Sequence, residues 1–157
     1  MEKTDISFKN LESKKSFNFR VALISIFDGK ILLQKAEKDE YYSLIGGRVK
    51  LGESTKDAIV REAKEEIGIT FKNEELTLIK IVENFFTYNG MDFHELLYIY
   101  KVDNEQIRKM DNFNTLDKDN VVNKWIQINS FKNLDVRPSI IKECYNEESL
   151  SSEIIGK

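Results

Sequence analysis

The sequence predicts an α+β layered domain, a set of strands packed against one central helix and a shorter C-terminal one. Three observations predict it. The window from Ser54 to Gly68 carries a helical apolar period with a signal at each end. Several other runs are apolar and rich in β-branched or aromatic residues, and turn dipeptides separate them. Hydrophobic residues make up 41% of the 157 and aromatics 11%, enough apolar side chain to bury a core at this length. The chain, 1–157, is read as a single domain without internal repeats.

In order, residues 1–18 are polar and charged and read as an edge strand or a loose arm. Phe19 to Phe27 (FRVALISIF) is a near-continuous apolar run, the pattern of a buried strand. Asp28-Gly29 marks a tight turn, and Lys30 to Lys35 returns as its partner. Tyr42 to Ile45 reads as a short strand delivering the glycine pair Gly46-Gly47, where backbone comes close to a ligand or simply turns. Ile69 to Phe71 reads as the start of a strand after the helix. Leu76 to Val82 and Glu83 to Tyr88 lead to Asn89-Gly90, a hairpin signal, and Phe93 to Val102 returns. Residues 103–120 form a long polar connection with a short helix near Glu105 to Met110. Val121 to Ile128 reads as the final strand, Ser130 as the cap of a short turn, and Pro138 as the first turn of a helix over Ser139 to Tyr145. Residues 149–157 read as a frayed tail.

The central helix has defined ends: Ser54 is a good N-cap with Asp57 three residues on, and Gly68 sits at the C′ position. Ile59, Ala63 and Ile67 recur at four-residue spacing and form its buried face. At about 100° per residue, Glu62, Glu65 and Glu66 fall within a roughly 100° arc on another face. These acids are poorly placed for stability. Like charges at i,i+3 and i,i+4 cost roughly 0.2–0.5 kcal/mol per pair, and acids in the last turn oppose the helix dipole by roughly 0.3–1 kcal/mol each. Arg61 offsets part of this cost, and a divalent cation would reverse its sign; hard oxygen ligands suit Mg²⁺ or Mn²⁺. The plain alternative is a solvated acidic face.

The surroundings favour the cation. Gly47, five residues, Glu53, seven residues, then Arg61-Glu62-Ala63-Lys64-Glu65-Glu66-Ile67-Gly68-Ile69 resembles the Nudix box at every fixed position. The resemblance implies a mixed sheet sandwiched between helices, an α/β/α sandwich with the box as a loop-helix-loop, and a metal-dependent pyrophosphohydrolase. It implies Glu65 and Glu66 as metal ligands, Glu62 as ligand or general base, and a carbonyl of the glycine pair, Gly46, as a further ligand. It implies that Glu53 assists at the helix entrance, by binding metal or by pairing with Arg61, which then orients the carboxylates. Family members recruit another acid from outside the box; Glu95 is the first candidate and Glu83 the second, each otherwise a strand-edge charge. His94 reads as structural rather than catalytic. Arg48, Phe85, Phe86 and Tyr88, with Tyr41 and Tyr42, are candidates for holding substrate, the rings by stacking a nucleobase.

The expected substrate is a nucleoside diphosphate linked to another moiety: a nucleoside triphosphate, a nucleotide sugar or a dinucleoside polyphosphate. The proline that ADP-ribose-cleaving relatives carry beyond the box has no counterpart, since Pro138 is the only proline. The alternative is a nucleotide-sensing module that keeps the fold without turnover. A net charge of −3 argues against a nucleic-acid polymer as partner. Cys144 is the only cysteine, read as a free buried thiol, and with no signal-peptide core the expected compartment is the cytoplasm. No run is long enough to span a bilayer. A homodimer is compatible with the family.

Overall fold

The computed structural model describes residues 4–157. In chain order the strands and helices are β1 (Ser7–Asn10), β2 (Lys15–Ile24), β3 (Ile26–Phe27), β4 (Lys30–Ala36), β5 (Ile45–Arg48), α1 (Thr55–Ile67), β6 (Leu76–Tyr88), β7 (Met91–Val102), α2 (Glu105–Arg108), β8 (Phe113–Asn114), β9 (Val121–Gln127), α3 (Ile128–Phe131), α4 (Ile141–Cys144) and β10 (Ser151–Ile155). Among the described residues the strands make two sheets. The larger, of six strands, runs β1-β2-β7-β6-β10 with β5 also on β2; the smaller runs β3-β4-β9-β8. The larger sheet is mixed: β2 pairs parallel with β7 and antiparallel with β1 and β5.

The unbroken apolar run of β2 has a direct cause. Val21 and Leu23 pack into one core with Ile59, Ala63 and Ile67 of α1. Ala22 and Ile24 point the other way, into a second core with Phe131 of α3 and Ile141 and Cys144 of α4. A strand buried on both faces needs no polar alternation. This is the α+β sandwich expected from the sequence. At Ser25 the chain leaves the large sheet for the small one, so the run Phe19–Phe27 is two strands rather than one. The turns Asp28-Gly29 and Asn89-Gly90 both take positive φ at both residues, as tight hairpins of this kind require.

Five local expectations are corrected. Gly46 and Gly47 lie inside β5, not after a strand over Tyr42–Ile45; Tyr42 and Ser43 make only isolated bridges. The reason is space: a Cβ on Gly46 would overlap the Val21 carbonyl oxygen of β2, and one on Gly47 would overlap the Glu62 carboxylate. Ile69–Phe71 forms no strand, although Ile69 and Phe71 are buried in the α1 core, and a 3₁₀ turn over Asn73–Glu75 follows. Ser130 lies inside α3 and does not cap it. The last helix is confined to Ile141–Cys144, with Pro138 accepting from the Ile141 N–H just before it. The tail is not frayed at Ser151–Ile155. It pairs parallel with β6, fixed by Lys80, whose Nζ donates to Ser151 Oγ at 2.9 Å and lies 3.6 Å from Glu153. The polar arm at the N-terminus is an edge strand over Ser7–Asn10; residues 1–3 of that arm lie outside the described residues. Among the described residues no helix is long and apolar enough to cross a membrane.

Candidate active site

Helix α1 is set by its caps. Ser54 Oγ accepts from the Asp57 N–H at 3.0 Å, and Gly68, at φ 73°, donates to the Lys64 carbonyl. With Ala58, Ile59, Ala63 and Ile67 against the sheet, Glu62 and Glu66 are carried inward beside β5 while Glu65 stays at the surface. Three acids that share an arc of the helix therefore have three different environments.

Arg61 is the hub of the outer part. Its Nε and Nη2 donate to the two oxygens of Glu53 at 2.8 and 3.0 Å. Its Nη1 donates to Glu62 at 2.9 Å and Glu65 at 3.2 Å, and Nη2 also reaches the Arg48 carbonyl at 2.9 Å. Glu53 in turn accepts from the Lys50 N–H. The hydrogen bond to Glu53 is the main cause holding the Arg61 guanidinium firmly protonated. Of the two alternatives for Glu53, the pairing with Arg61 is present in this geometry.

Glu66 is the inner member. It is 0% exposed; the Gly46 N–H donates to Oε2 at 3.1 Å and Lys118 Nζ to Oε1 at 2.9 Å. Burial pushes the Glu66 and Glu62 carboxyls above the ordinary range, with Lys118 and Arg61 opposing it. Asp117, next to Lys118, adds negative charge at Glu66. Lys118 and Asp117 were invisible to sequence reasoning. They sit in the polar connection 103–120, where nothing local distinguishes one charge from its neighbours.

The donor set suits a hard divalent cation by its chemistry. It is all oxygen, and four acids (Glu53, Glu62, Glu65, Glu66) against two cations (Arg61, Lys118) leave 4 − 2 = 2 formal negative charges. Among the described residues no three acidic, histidine or cysteine side chains converge as a ready cation cage. Arg61 and Lys118 occupy the carboxylates instead.

A cavity of about 1420 Å³ opens beside this cluster, and Gly46, Arg48 and Lys118 form part of its wall. Phe85, Phe86, Tyr88 and Tyr41 line it as well, whereas Tyr42 does not. Phe86 stacks on Phe93 at 5.1 Å, and the Arg137 guanidinium lies 4.3 Å over the Tyr41 ring. Arg137 is a third residue the sequence reading did not single out. Glu95 lines the cavity, with Arg20 Nε 3.8 Å away; burial pushes its carboxyl up, and Arg20 and the Asn84 side chain oppose the shift. Glu83 is taken up by His94, Nε2 to Oε1 at 2.9 Å, and His94 stacks on Phe85 at 4.4 Å.

A mixed sheet between helical layers, with a capped Arg-Glu-Glu-Glu helix against a glycine-bearing strand, defines a class of fold. The NUDIX domain model matches residues 17–144, and the chain belongs to that family. The RNA pyrophosphohydrolase of Ruthia magnifica subsp. Calyptogena magnifica is 34% identical over 65 residues, 41% of this chain and 35% of that protein. The chain thus spans about a third of that relative's length. The structure of the MutT protein from Bacillus halodurans superposes with a TM-score of 0.67 at 20% identity, covering 87% of this chain and 88% of that one. That of the E. coli dihydroneopterin triphosphate pyrophosphohydrolase gives 0.57 at 18%, covering 81% and 91%. At such identities the likeness is one of fold. Two of these relatives carry the name pyrophosphohydrolase, the enzyme class expected from the box.

Proposed function

We propose that this protein hydrolyses a diphosphate bond in a small nucleotide with the help of Mg²⁺ or Mn²⁺. The observation that carries the reading is the wholly buried Glu66 beside the Arg61 network, an accumulation of acid that stability alone does not favour. Glu62, Glu65 and Glu66, with the Gly46 carbonyl, are the groups that would hold the cation. When bound, the ion supplies neutralisation of the phosphate charge and polarisation of the bond to be broken.

The chain's own residues do the rest. Arg61 fixes Glu53, Glu62 and Glu65 relative to one another, so that the carboxylates meet phosphate and water without reorganising. Glu62 accepts the proton of the attacking water. Arg48 and Lys118, on the cavity wall, bind phosphate oxygens. The aromatic wall takes the organic end of the substrate. The setting of this reading is the cytoplasm, with a small-molecule substrate, supported by a lone buried thiol.

The test is release of the product nucleotide, separated by chromatography, from nucleoside triphosphates, nucleotide sugars and dinucleoside polyphosphates, with and without Mg²⁺, for the wild type, Glu65→Gln and Glu66→Gln. The expected result is metal-dependent release that falls by 10²-fold or more, in order of magnitude, in the variants. Nucleotide binding without any release would favour the sensing module.

A further inference from the structure

The segment after α4 carries a polar clasp that the hydrolytic machinery does not use. Lys80 of β6 is buried, at 6% exposure, and a buried ammonium needs an anion close by. Among the described residues its ion-pair partners are Glu147, at 3.5 Å, and Glu153, at 3.6 Å. Its Nζ also donates to Ser151 Oγ at 2.9 Å, and Ser151 donates in turn to Glu147 Oε2 at 2.8 Å. All three partners lie in residues 147–153, beyond the residues 17–144 that the family match covers. Lys80 is thus compensated as long as that segment lies on β6.

The same segment walls the cavity. Its strand β10 pairs parallel with β6 at the outer edge of the large sheet, Ser151 opposite Lys80 and Ile155 opposite Asn84. Just past the clasp, Ile155 and Gly156 line the cavity together with Phe85. Gly156, at φ 81°, packs so closely on Phe85 that a Cβ there would overlap the Phe85 carbonyl oxygen. Lys157 Nζ lies 5.0 Å from the Phe85 ring centroid. The hold on the rest of β10 is slight: Ser152, Glu153 and Ile154 are exposed, and Ser151 and Ile155 are half-buried. An edge strand with so little buried apolar surface opens at low free energy while the core stays intact. Its position then depends on the clasp.

We propose that Lys80 is a positioning residue: it docks residues 151–157 as a removable wall of the cavity, and the docked wall raises affinity for the ligand inside. Docking and binding are then linked. A ligand that touches the closed wall holds the segment down by the same factor by which docking tightens the ligand. The acids of α1 take their hydrogen bonds from Arg61, Gly46 and Lys118, none of them in this segment, and keep their arrangement when the wall opens. Affinity therefore changes and the chemical step does not. The inference rests on the hydrolase reading for turnover but not for binding.

The experiment compares wild type with the double variant Glu147→Gln, Glu153→Gln, which keeps the size of both side chains but leaves Lys80 without an anion. A third protein adds Lys80→Met to that pair and so removes the buried charge. Amide hydrogen exchange is followed over residues 147–157, with and without ATP or GTP in EDTA. Binding of the same two nucleotides in EDTA is measured by calorimetry, and KM and kcat with Mg²⁺ on the nucleotide panel. In the double variant the amides of the segment should exchange at least about tenfold faster while those of α1 and β7 stay protected, because an unpaired buried cation favours the open form. KM and the nucleotide dissociation constant should rise about tenfold with kcat within about twofold, the mark of lost uniform binding. Nucleotide should slow exchange of the segment in the wild type. Adding Lys80→Met should restore both slow exchange and affinity. Unchanged exchange or unchanged affinity in the folded double variant overturns the proposal, as does faster exchange throughout the protein, which makes the segment part of the core. A failed rescue by Lys80→Met overturns the role of Lys80. Affinity that follows the segment without hydrolysis of any nucleotide keeps this inference and removes the hydrolase reading. Hydrolysis with an affinity indifferent to the segment does the reverse, and neither binding nor hydrolysis ends both.

Discussion

Arg61 and Glu53 form a two-point ion pair, Nε to Oε2 at 2.8 Å and Nη2 to Oε1 at 3.0 Å, that ties helix α1 to the loop before it. The same guanidinium reaches Glu62, Glu65 and the Arg48 carbonyl. One planar cation with its donors in a rigid fork holds five oxygens; an ammonium offers three donors and no plane.

Arg61→Lys should therefore be more damaging than a conservative charge swap suggests. Losing the fork contacts to largely buried carboxylates should cost about 1–3 kcal/mol of stability. Turnover should drop by about 10²-fold as the acids lose register. Thermal melting and steady-state kinetics check both. A variant with wild-type kinetics would remove the orienting role.

Lys118→Met should leave the Glu66 carboxylate without its cation. Lys118 is half-exposed at 49% of its side chain, so water screens the loss to about 1–2 kcal/mol rather than the larger cost of a fully buried pair. Mg²⁺ competes with Lys118 for that carboxylate in this account. The rise in melting temperature on adding Mg²⁺ should accordingly be larger in the variant than in the wild type. An equal or smaller rise would show that the ion does not bind at Glu66.

Glu95 has its carboxyl pushed up, first by burial, so its folded pKa lies above the unfolded value of about 4.3. The folded state then binds the proton more tightly. Its stabilising contribution is complete below the unfolded pKa and is lost as pH rises through the raised one. Glu95→Gln cannot ionise, so its stability relative to the wild type should rise as pH goes up from 4 toward 8. Melting curves from pH 4 to 8 test the sign, and a relative stability that falls over that range contradicts it.

Cys144 is buried in the second core, and burial pushes its thiol up to about 11. It should resist alkylation at pH 8 in the folded protein and react fully in denaturant. Rapid labelling of the native protein would contradict that packing.

Where the information was local, the sequence was readable. Ser54, Gly68 and the Ile59-Ala63-Ile67 stripe specify α1 by contacts within a few residues, and Asn89-Gly90 specifies its hairpin. Long-range pairings were not readable. Ser151–Ile155 becomes a strand because β6, some seventy positions earlier, has an open edge and Lys80 waits there for it. Gly46 and Gly47 read as a turn because their crowding comes from Val21 and Glu62. Lys118 matters only because the fold brings residue 118 to residue 66. The register that sets Asn18 and Asn84 opposite Glu95 likewise comes from other strands.

The central claim is that the acids of α1 serve a divalent cation in phosphate chemistry. The most direct measurement is release of the product nucleotide from the nucleotide panel as Mg²⁺ is titrated from zero, on wild type and Glu66→Gln side by side. The account predicts release that requires the ion and saturates with it, and a variant that stays folded but needs far more Mg²⁺ and turns over slowly. Release independent of Mg²⁺ and Mn²⁺, or a Glu66→Gln protein with an unchanged Mg²⁺ requirement, would contradict it.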